Sequence, residues 1–301
     1  MKIQNINPIY FQNYNSQRVT KPNQKQSGFK GSPAVQEAMK KFVPEAGFFM
    51  FNTPNLSKQG IDAFLRKFRP GINVRLLPLQ EALTNNYQAR AEIEMGLDLQ
   101  LKPQAKKVTM ALCLNNCNSF EDRVRLFEDV VHEMTHIYQV DTKSDIYPQN
   151  LTVNYFKDEV FKNPNLDAAN EINNRIQNSV ALYRDIEQEM HGTFARAGFV
   201  YENNIPKSIR EANPFEIESA FFRLTGKTSN DYLRETVIKA MKKYNLQNYS
   251  FIEKLIRSHS DSEVEAHTIG LNAVKEIMGI KGDTDRDFTH MLYKKMSQFK
   301  F

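Results

Sequence analysis

The hydrophobic periodicity of the chain changes at residue 119, and this change constrains the fold more than any other feature of the sequence. Between residues 91 and 115, apolar and polar residues alternate on both sides of a Lys-Pro-Gln-Ala-Lys turn, as in two half-buried strands. From Ser119 to about residue 139, apolar residues recur instead at helical spacing. We therefore expect an antiparallel hairpin that leads directly into a helix.

The remaining segments extend this unit on both sides. Before it, residues 45–52 and 72–78 are short apolar runs typical of strands, and a helix is expected between Ser57 and Pro70. After it, the pattern predicts helices at 167–196, 208–225, 228–245, 250–258, 261–279 and 284–299. The expected fold class is α+β: a small, mostly antiparallel sheet, then one central helix and a predominantly helical C-terminal half.

The composition of the N-terminal segment predicts the domain organisation. Its first 31 residues are rich in Asn, Gln, Lys and Ser and contain no apolar run typical of a secretory signal. We therefore expect a disordered polar leader at 1–42 and one domain at 43–301, in which 43–140 forms the sheet and central helix and 141–301 the helical part. No stretch of about 18 apolar residues is present, and a cytoplasmic location is expected.

The charge distribution gives no strong nucleic-acid signal. The formal net charge is +5, from 40 basic and 35 acidic residues, and the longest basic cluster is a doublet such as Lys242-Lys243. Scattered charges of both signs are typical of a solvated surface. The sequence does not indicate an oligomeric state.

The central helix carries a pattern that predicts a specific chemistry. His132 and His136 are four residues apart, and Glu133 directly follows the first histidine. On a helix, two imidazoles at this spacing project from successive turns of one face and can bind one Zn²⁺. The ion lowers the pKa of a bound water to roughly 7, and Glu133 can then accept its proton as general base. The opposite side of this helix is an apolar stripe of Phe127, Val131, Met134 and Tyr138.

The hairpin followed by VVHEMTHIYQ on a helix resembles the zincin metallopeptidases. The resemblance covers about residues 90–140 and implies a zinc-dependent peptidase, with peptide or protein substrates and the central helix as the active-site helix. In that superfamily the strand before this helix is commonly the sheet edge along which the substrate lies. The resemblance thus implies that KVTMALCLN, residues 107–115, binds substrate by strand addition.

A catalytic zinc site requires a third protein ligand. The metzincin branch is excluded because Gln139 and Thr142 occupy its glycine and histidine positions, whereas the gluzincin branch takes a glutamate from a later helix. In DSEVEAHTIG, Glu263 lies at the edge of the apolar face and His267 at its middle, while Glu265 is expected to point to solvent. Glu263 is therefore expected to be the third ligand. His267, where the family has aspartate, is expected to support the metal or the transition state.

Three alternatives remain open from the sequence. Glu187, in DIEQEMHGTF, is a second candidate for the third ligand because it lies in the centre of an apolar stripe. The residue that stabilises the oxyanion is left open among His191, His267 and His290. The chain could also be a non-catalytic helical binding or scaffold protein with a structural or vestigial metal site. Glu133 argues mildly against this reading, because a structural site has no use for a base beside its first ligand.

Overall fold

The computed structural model of the chain describes residues 32–85, 87–97, 103–115, 117, 119–142, 147–162, 166–196, 214–279 and 288–301. The helices in this part of the chain are, in order, α1 (Pro33–Asn52), α2 (Lys58–Phe68), α3 (Leu79–Asn85), α4 (Phe120–Asp141), α5 (Pro148–Lys162), α6 (Leu166–Arg196), α7 (Pro214–Thr225), α8 (Ser229–Lys243), α9 (Tyr249–Met278) and α10 (Phe288–Met296). The strands are β1 (Asn73–Leu76), β2 (Ala89–Leu97) and β3 (Pro103–Leu112).

The three described strands form one mixed sheet in the order β1-β3-β2. β1 runs parallel to β3, with Val74 beside Met110, and β2 runs antiparallel to it, with Ala91 beside Met110. The antiparallel pairing of the predicted hairpin and the predicted strand within 72–78 are therefore confirmed. The turn predicted at residues 102–106 is wrong, because residues 103–106 already belong to β3. The sheet is mixed: β2 and β3 form the expected antiparallel pair, and β1 lies parallel to β3 on its other side, because the chain crosses from β1 through α3 to β2 before it forms β3.

The strand predicted at 45–52 is wrong, because these residues form the C-terminal part of α1. The leader boundary predicted at residue 42 is wrong for the same reason, since the hydrophobic period continues across it. Residues 1–31 of the predicted leader lie outside the described residues. The buried positions of α1 recur at helical spacing, at Val35, Met39, Phe42, Ala46 and Met50.

The central helix of the sequence pattern is α4, and it begins where the sequence predicts. The Ser119 hydroxyl accepts a hydrogen bond from the Asp122 backbone N–H at 3.0 Å, and acidic side chains in the first turn complement the helix dipole. Val131 and Met134 are fully buried against the sheet side of the molecule. His136 is also buried, on the side of α4 that faces α9.

Helix α9 connects the two larger hydrophobic cores of the described chain. Its N-terminal half adds Leu255 and Ile256 to a core formed with α6, α8 and α10. Its C-terminal half adds Ala273 and Val274 to the core formed by the sheet, α1, α2 and α4. Any side chain near the middle of α9 that faces α4 is therefore enclosed by both halves of the structure.

The sequence predicts two helices, 250–258 and 261–279, where the structure has the single helix α9. The Ser and Asp residues around 260 suggested a break, but Ser260 is buried and its hydroxyl donates to the Ile256 carbonyl within the helix. As a result, His259 and Glu263 lie one turn apart on one helix. The other predicted helices correspond to α2, α6, α7, α8 and α10, with residues 208–213 and 284–287 of these predictions outside the described residues. The helices α3 and α5 were not predicted.

Within the described ranges, no helix combines the length and the apolar character needed to cross a membrane.

Arg123 attaches α4 to the end of α1. Its guanidinium donates to the backbone carbonyls of Met50, Thr53 and Pro54 at 2.6 to 3.0 Å, and its Nε donates to the Cys117 carbonyl at 3.1 Å. The side chain is buried, and it places a positive charge at the C-terminus of α1, where the helix dipole favours it. One arginine thus satisfies four carbonyls that would otherwise lack a donor.

Replacing Arg123 by Met keeps an apolar stem but removes every donor from these carbonyls. We expect Arg123→Met to lower the free energy of unfolding by about 2 to 4 kcal/mol, measured by chemical denaturation, because the buried carbonyls of Met50 and Cys117 would lose their donor. Arg66→Met is the matched control, since Arg66 makes an exposed pair with Asp62 that contributes at most about 0.5 kcal/mol. Equal losses in both variants would contradict this role of Arg123.

Candidate metal centre

Three side chains from two helices meet where α4 crosses α9. His132 and His136 project from successive turns of α4, and their Nε2 atoms are 3.0 Å apart. Glu263 on α9 places Oε2 at 3.3 Å from His132 Nε2 and Oε1 at 3.3 Å from His136 Nε2. The three residues predicted as metal ligands are therefore brought together.

The separations between these ligand atoms fit a tetrahedral metal ion. With metal–ligand bonds of about 2.0 to 2.1 Å, two ligand atoms of a tetrahedron are about 3.3 Å apart. Two imidazole nitrogens and a carboxylate match a zinc site that keeps one position for water or substrate. His132, His136 and Glu263 thus form a group that could hold a metal ion, although the geometry does not specify which metal.

The electrostatics of the cluster favour a positive charge at its centre. Burial by itself would raise the pKa of Glu263, but the charge of His136 and hydrogen bonds from both histidines hold that pKa well below its usual value. Burial likewise opposes a charge on His136, but the Glu263 carboxylate outweighs it and raises the pKa of His136 to about 9. In the metal-free protein, the proton on His136 therefore supplies the positive charge beside Glu263 that a metal ion could supply instead.

Gln139 fixes the orientation of His136. The Gln139 amide nitrogen donates to the Ser262 carbonyl at 3.1 Å and to Glu265 Oε2 at 2.9 Å, so its oxygen faces His136 Nδ1 at 2.9 Å. This acceptor places the proton on Nδ1 and leaves the Nε2 lone pair directed at the cluster. The sequence interpretation used Gln139 only to exclude one branch. Its position three residues after His136 was the signal that could have identified it.

The prediction that Glu265 points to solvent is wrong. Its side chain is buried, and it accepts hydrogen bonds from Gln139 and from the Ser32 backbone N–H. Burial raises the pKa of Glu265, and these two hydrogen bonds only partly offset that effect. The prediction assumed that α9 has one buried face, whereas the helix packs against α4 and the start of α1 on the face that carries Glu265.

Glu133 lies on the side of α4 that faces the sheet. Its Oε2 accepts the backbone N–H of Ala91 on β2 at 2.8 Å. One turn earlier, Asp129 accepts the backbone N–H of Gln88 at 2.5 Å and that of Ala89 at 3.4 Å. Burial raises the pKa of Asp129 to about 6 despite the Gln88 hydrogen bond. Two carboxylates of α4 thus hold the outer edge of β2.

The expectation that residues 107–115 form a substrate-binding edge is wrong. β3 lies in the centre of the sheet and is paired on both sides over residues 109–112. The edge strand that lies beside α4 is β2, the other half of the predicted hairpin. Sequence alone placed the hairpin correctly but could not show which of its strands pairs with β1.

The predicted site residue His267 lies against the cluster. Its ring centroid is 5.0 Å from that of His132 in an edge-to-face arrangement and 5.9 Å from that of Tyr293. Of the other candidates for oxyanion stabilisation, His191 Nε2 is 3.2 Å from the Tyr293 hydroxyl. The side chain of His290 is outside the described part of the structure.

The sequence interpretation missed Tyr147, which stands at the start of α5. Its ring centroid is 6.1 Å from that of His136, and the residue is buried. Burial raises the pKa of Tyr147 well above its usual value, and the nearby carboxylates of Glu133 and Glu263 add to this effect. The phenol is therefore a proton donor beside the cluster. No periodic pattern marks this position, since it precedes a helix that was itself not predicted.

Glu187, the alternative third ligand, belongs to the same region. Its Oε2 is 3.3 Å from His259 Nε2, and His259 Nδ1 is 3.9 Å from Glu263 Oε1. Tyr293 donates its hydroxyl hydrogen to Glu187 Oε1. The structure thus places Glu263, not Glu187, against His132 and His136, and it places Glu187 next to His259.

Removing the amide of Gln139 tests its effect on the metal centre. We expect Gln139→Leu to weaken Zn²⁺ binding about 10- to 100-fold, because His136 loses the acceptor that fixes its tautomer and ring orientation. Competition with a chromophoric chelator measures the affinity. Gln36→Leu, on the exposed face of α1, is the control and should bind Zn²⁺ like the unmodified protein. Unchanged affinity in the Gln139→Leu variant would show that Gln139 does not support the metal centre.

No protein-family model matches the chain. Neither a curated protein nor a solved structure matches it either. What the site can do is therefore inferred from its residues alone.

Proposed function

We propose that the protein is a zinc-dependent metallopeptidase that hydrolyses bonds in a peptide or protein substrate. The observation that carries this proposal is the meeting of His132, His136 and Glu263 at metal-ligand separations, with the carboxylate of Glu133 on the next position of the same helix. A Zn²⁺ held by these three residues would polarise the scissile carbonyl and lower the pKa of the attacking water.

Glu133 is the general base of the proposed reaction. The Ala91 N–H that donates to Glu133 Oε2 holds the carboxylate in place. The carboxylate accepts a proton from the attacking water and then returns it to the nitrogen of the departing amine. Its position after His132 sets it beside the two imidazoles without making it one of the three ligands.

Tyr147 is the proposed donor to the developing oxyanion. Its phenol remains protonated at neutral pH for the reasons given above, and its ring lies beside His136. A neutral O–H donor that is already oriented inside the protein stabilises negative charge with little reorganisation. His267 supports the position of His132, because the rings of the two residues are in contact.

The outer edge of β2 is the proposed path of the substrate backbone. The backbone N–H of Ala91 points away from β3 and towards Glu133. By the two-residue alternation of a strand, the backbone N–H of Ile93 points the same way. An extended peptide placed beyond Ala91 could therefore pair with this edge and bring a carbonyl to the cluster. This proposal replaces the edge first expected at residues 107–115.

The test compares metal content and hydrolysis in full-length variants. Glu133→Gln should retain zinc, measured by elemental analysis, but lose about 10²- to 10⁴-fold in hydrolysis of an unfolded, fluorescently labelled protein, because the base is absent. His132→Ala should lose the zinc ion that His132 helps to hold, together with the hydrolysis. Glu121→Gln, in the exposed first turn of α4, is the control and should retain both.

Each other outcome counts against the proposal. Full hydrolysis by Glu133→Gln would exclude Glu133 as the base, and a zinc content in His132→Ala equal to that of the unmodified protein would place the ion elsewhere. Zinc in the unmodified protein without hydrolysis of any unfolded protein would favour the non-catalytic alternative, in which a binding or scaffold protein keeps a structural metal site.

A further inference from the structure

Glu263 has metal-ligating neighbours on two sides. Its Oε1 is 3.3 Å from His136 Nε2 and 3.9 Å from His259 Nδ1. Beyond His259 lies Glu187, with Oε2 at 3.3 Å from His259 Nε2. The ligand atoms of Glu187, His259 and Glu263 all lie within 4.8 Å of one another. A second group of ligands thus shares Glu263 with the first.

His259 is buried and directed into this second group. The residue is 4% exposed, and its ring stacks on Tyr183 with a centroid distance of 4.2 Å and an interplanar angle of 26°. Its Nε2 makes no hydrogen bond to any residue that the structure describes, even though Glu187 is close. An imidazole that is held rigidly in the interior with an unsatisfied nitrogen needs a ligand for that atom. A metal ion between His259 and Glu187 would provide one.

The charges of the region support a second cation. Glu187 and Glu263 place two carboxylates close together in the interior, and buried charges of the same sign require compensation. The charge of a divalent ion held by His132, His136 and Glu263 is already balanced by the carboxylates of Glu263 and the adjacent Glu133. In the metal-free protein, His259 is the ion-pair partner of Glu187, and a divalent ion between them would take over that role. The Tyr293 hydroxyl orients the Glu187 carboxylate by donating to Oε1.

The sequence repeats the ligand spacing on the facing helix. His259 and Glu263 are four residues apart on α9, as His132 and His136 are on α4. Residues at this spacing lie above one another on one helix face. Two crossing helices therefore each present a pair of ligands to the same interior space, and α6 adds Glu187 from a third helix. Metal sites with two ions are commonly built between helices in this way.

We propose that the protein binds a second divalent ion of the zinc type, held by Glu187 and His259, and that Glu263 bridges the two ions. The proposal rests on the proposed function for its first ion. Imidazole and carboxylate ligands suit Zn²⁺ and the neighbouring divalent transition metals. In hydrolases with two ions, the second stabilises charge on the attacking or leaving atoms, at a separation of about 3.5 to 4 Å.

Metal stoichiometry of the full-length chain tests this inference. The protein is stripped with a chelator, reloaded with Zn²⁺ alone, desalted and measured by elemental analysis. We expect two zinc ions per chain, falling to one in His259→Asn and in Glu187→Gln. Glu189→Gln removes a carboxylate from the same helix, at an exposed position that binds Tyr232, and should retain two. Thermal unfolding shows which variants fold. One folded variant, either His259→Asn or Glu187→Gln, is enough for the test.

The outcomes separate this inference from the proposed function. The unmodified protein could hold one zinc ion that persists in His259→Asn and Glu187→Gln and is lost in His132→Ala. That result would overturn the second metal site and keep the first. Two zinc ions retained in both cluster variants would overturn the assigned position. Absence of zinc from the unmodified protein would overturn both proposals. With Co²⁺ in place of Zn²⁺, magnetic coupling in the electron paramagnetic resonance spectrum would support the Glu263 bridge, and two uncoupled ions would overturn it.

Discussion

The largely buried carboxylate of Glu263 is the constraint on which the site depends. A charge inside a protein must be compensated by an opposite charge and by hydrogen bonds, and Glu263 meets this requirement with His132 and His136. The pairing fixes the position of α9 along α4. The two helices also approach closely where Gly270 lies near the Cβ of His132. A change in register would leave both the carboxylate and the imidazoles without partners.

The surrounding fold holds this crossing from both sides. α9 adds side chains to both hydrophobic cores, so that its central turns cannot shift without disturbing one of them. On the other side of α4, Asp129 and Glu133 accept backbone N–H groups of β2. A third link runs from His136 through Gln139 to Glu265 and the start of α1. The ligands are thus supported by side chains from every neighbouring layer.

The features that sequence could predict are those set by nearby residues. The Ser119 cap, the helical period of α4 and the His132–His136 spacing all depend on residues within a few positions, and the structure has each of them. Glu263 could be proposed as the third ligand because a charge on an apolar face needs a partner. Its contact with both histidines depends on how α9 packs against α4, and the residue pattern of a single segment does not predict that packing.

The features that sequence missed depend on contacts between distant segments. The central position of β3 is set by its pairing with β1, and the burial of Glu265 is set by α4 and α1. The break expected near residue 260 hid the contact between His259 and Glu263 on one helix, because polar serines there hydrogen-bond within the helix instead of ending it. Tyr147 carries no pattern at all, and only the folded chain places it beside His136.

Anomalous X-ray diffraction from crystals loaded with zinc tests the metal centre most directly. Data collected on both sides of the zinc absorption edge locate the ion without reference to activity. A peak about 2 Å from His132 Nε2, from His136 Nε2 and from the Glu263 carboxylate is the result we predict. Imidazoles of His132 and His136 that turn away from each other, with no anomalous peak between them and Glu263, would contradict the account.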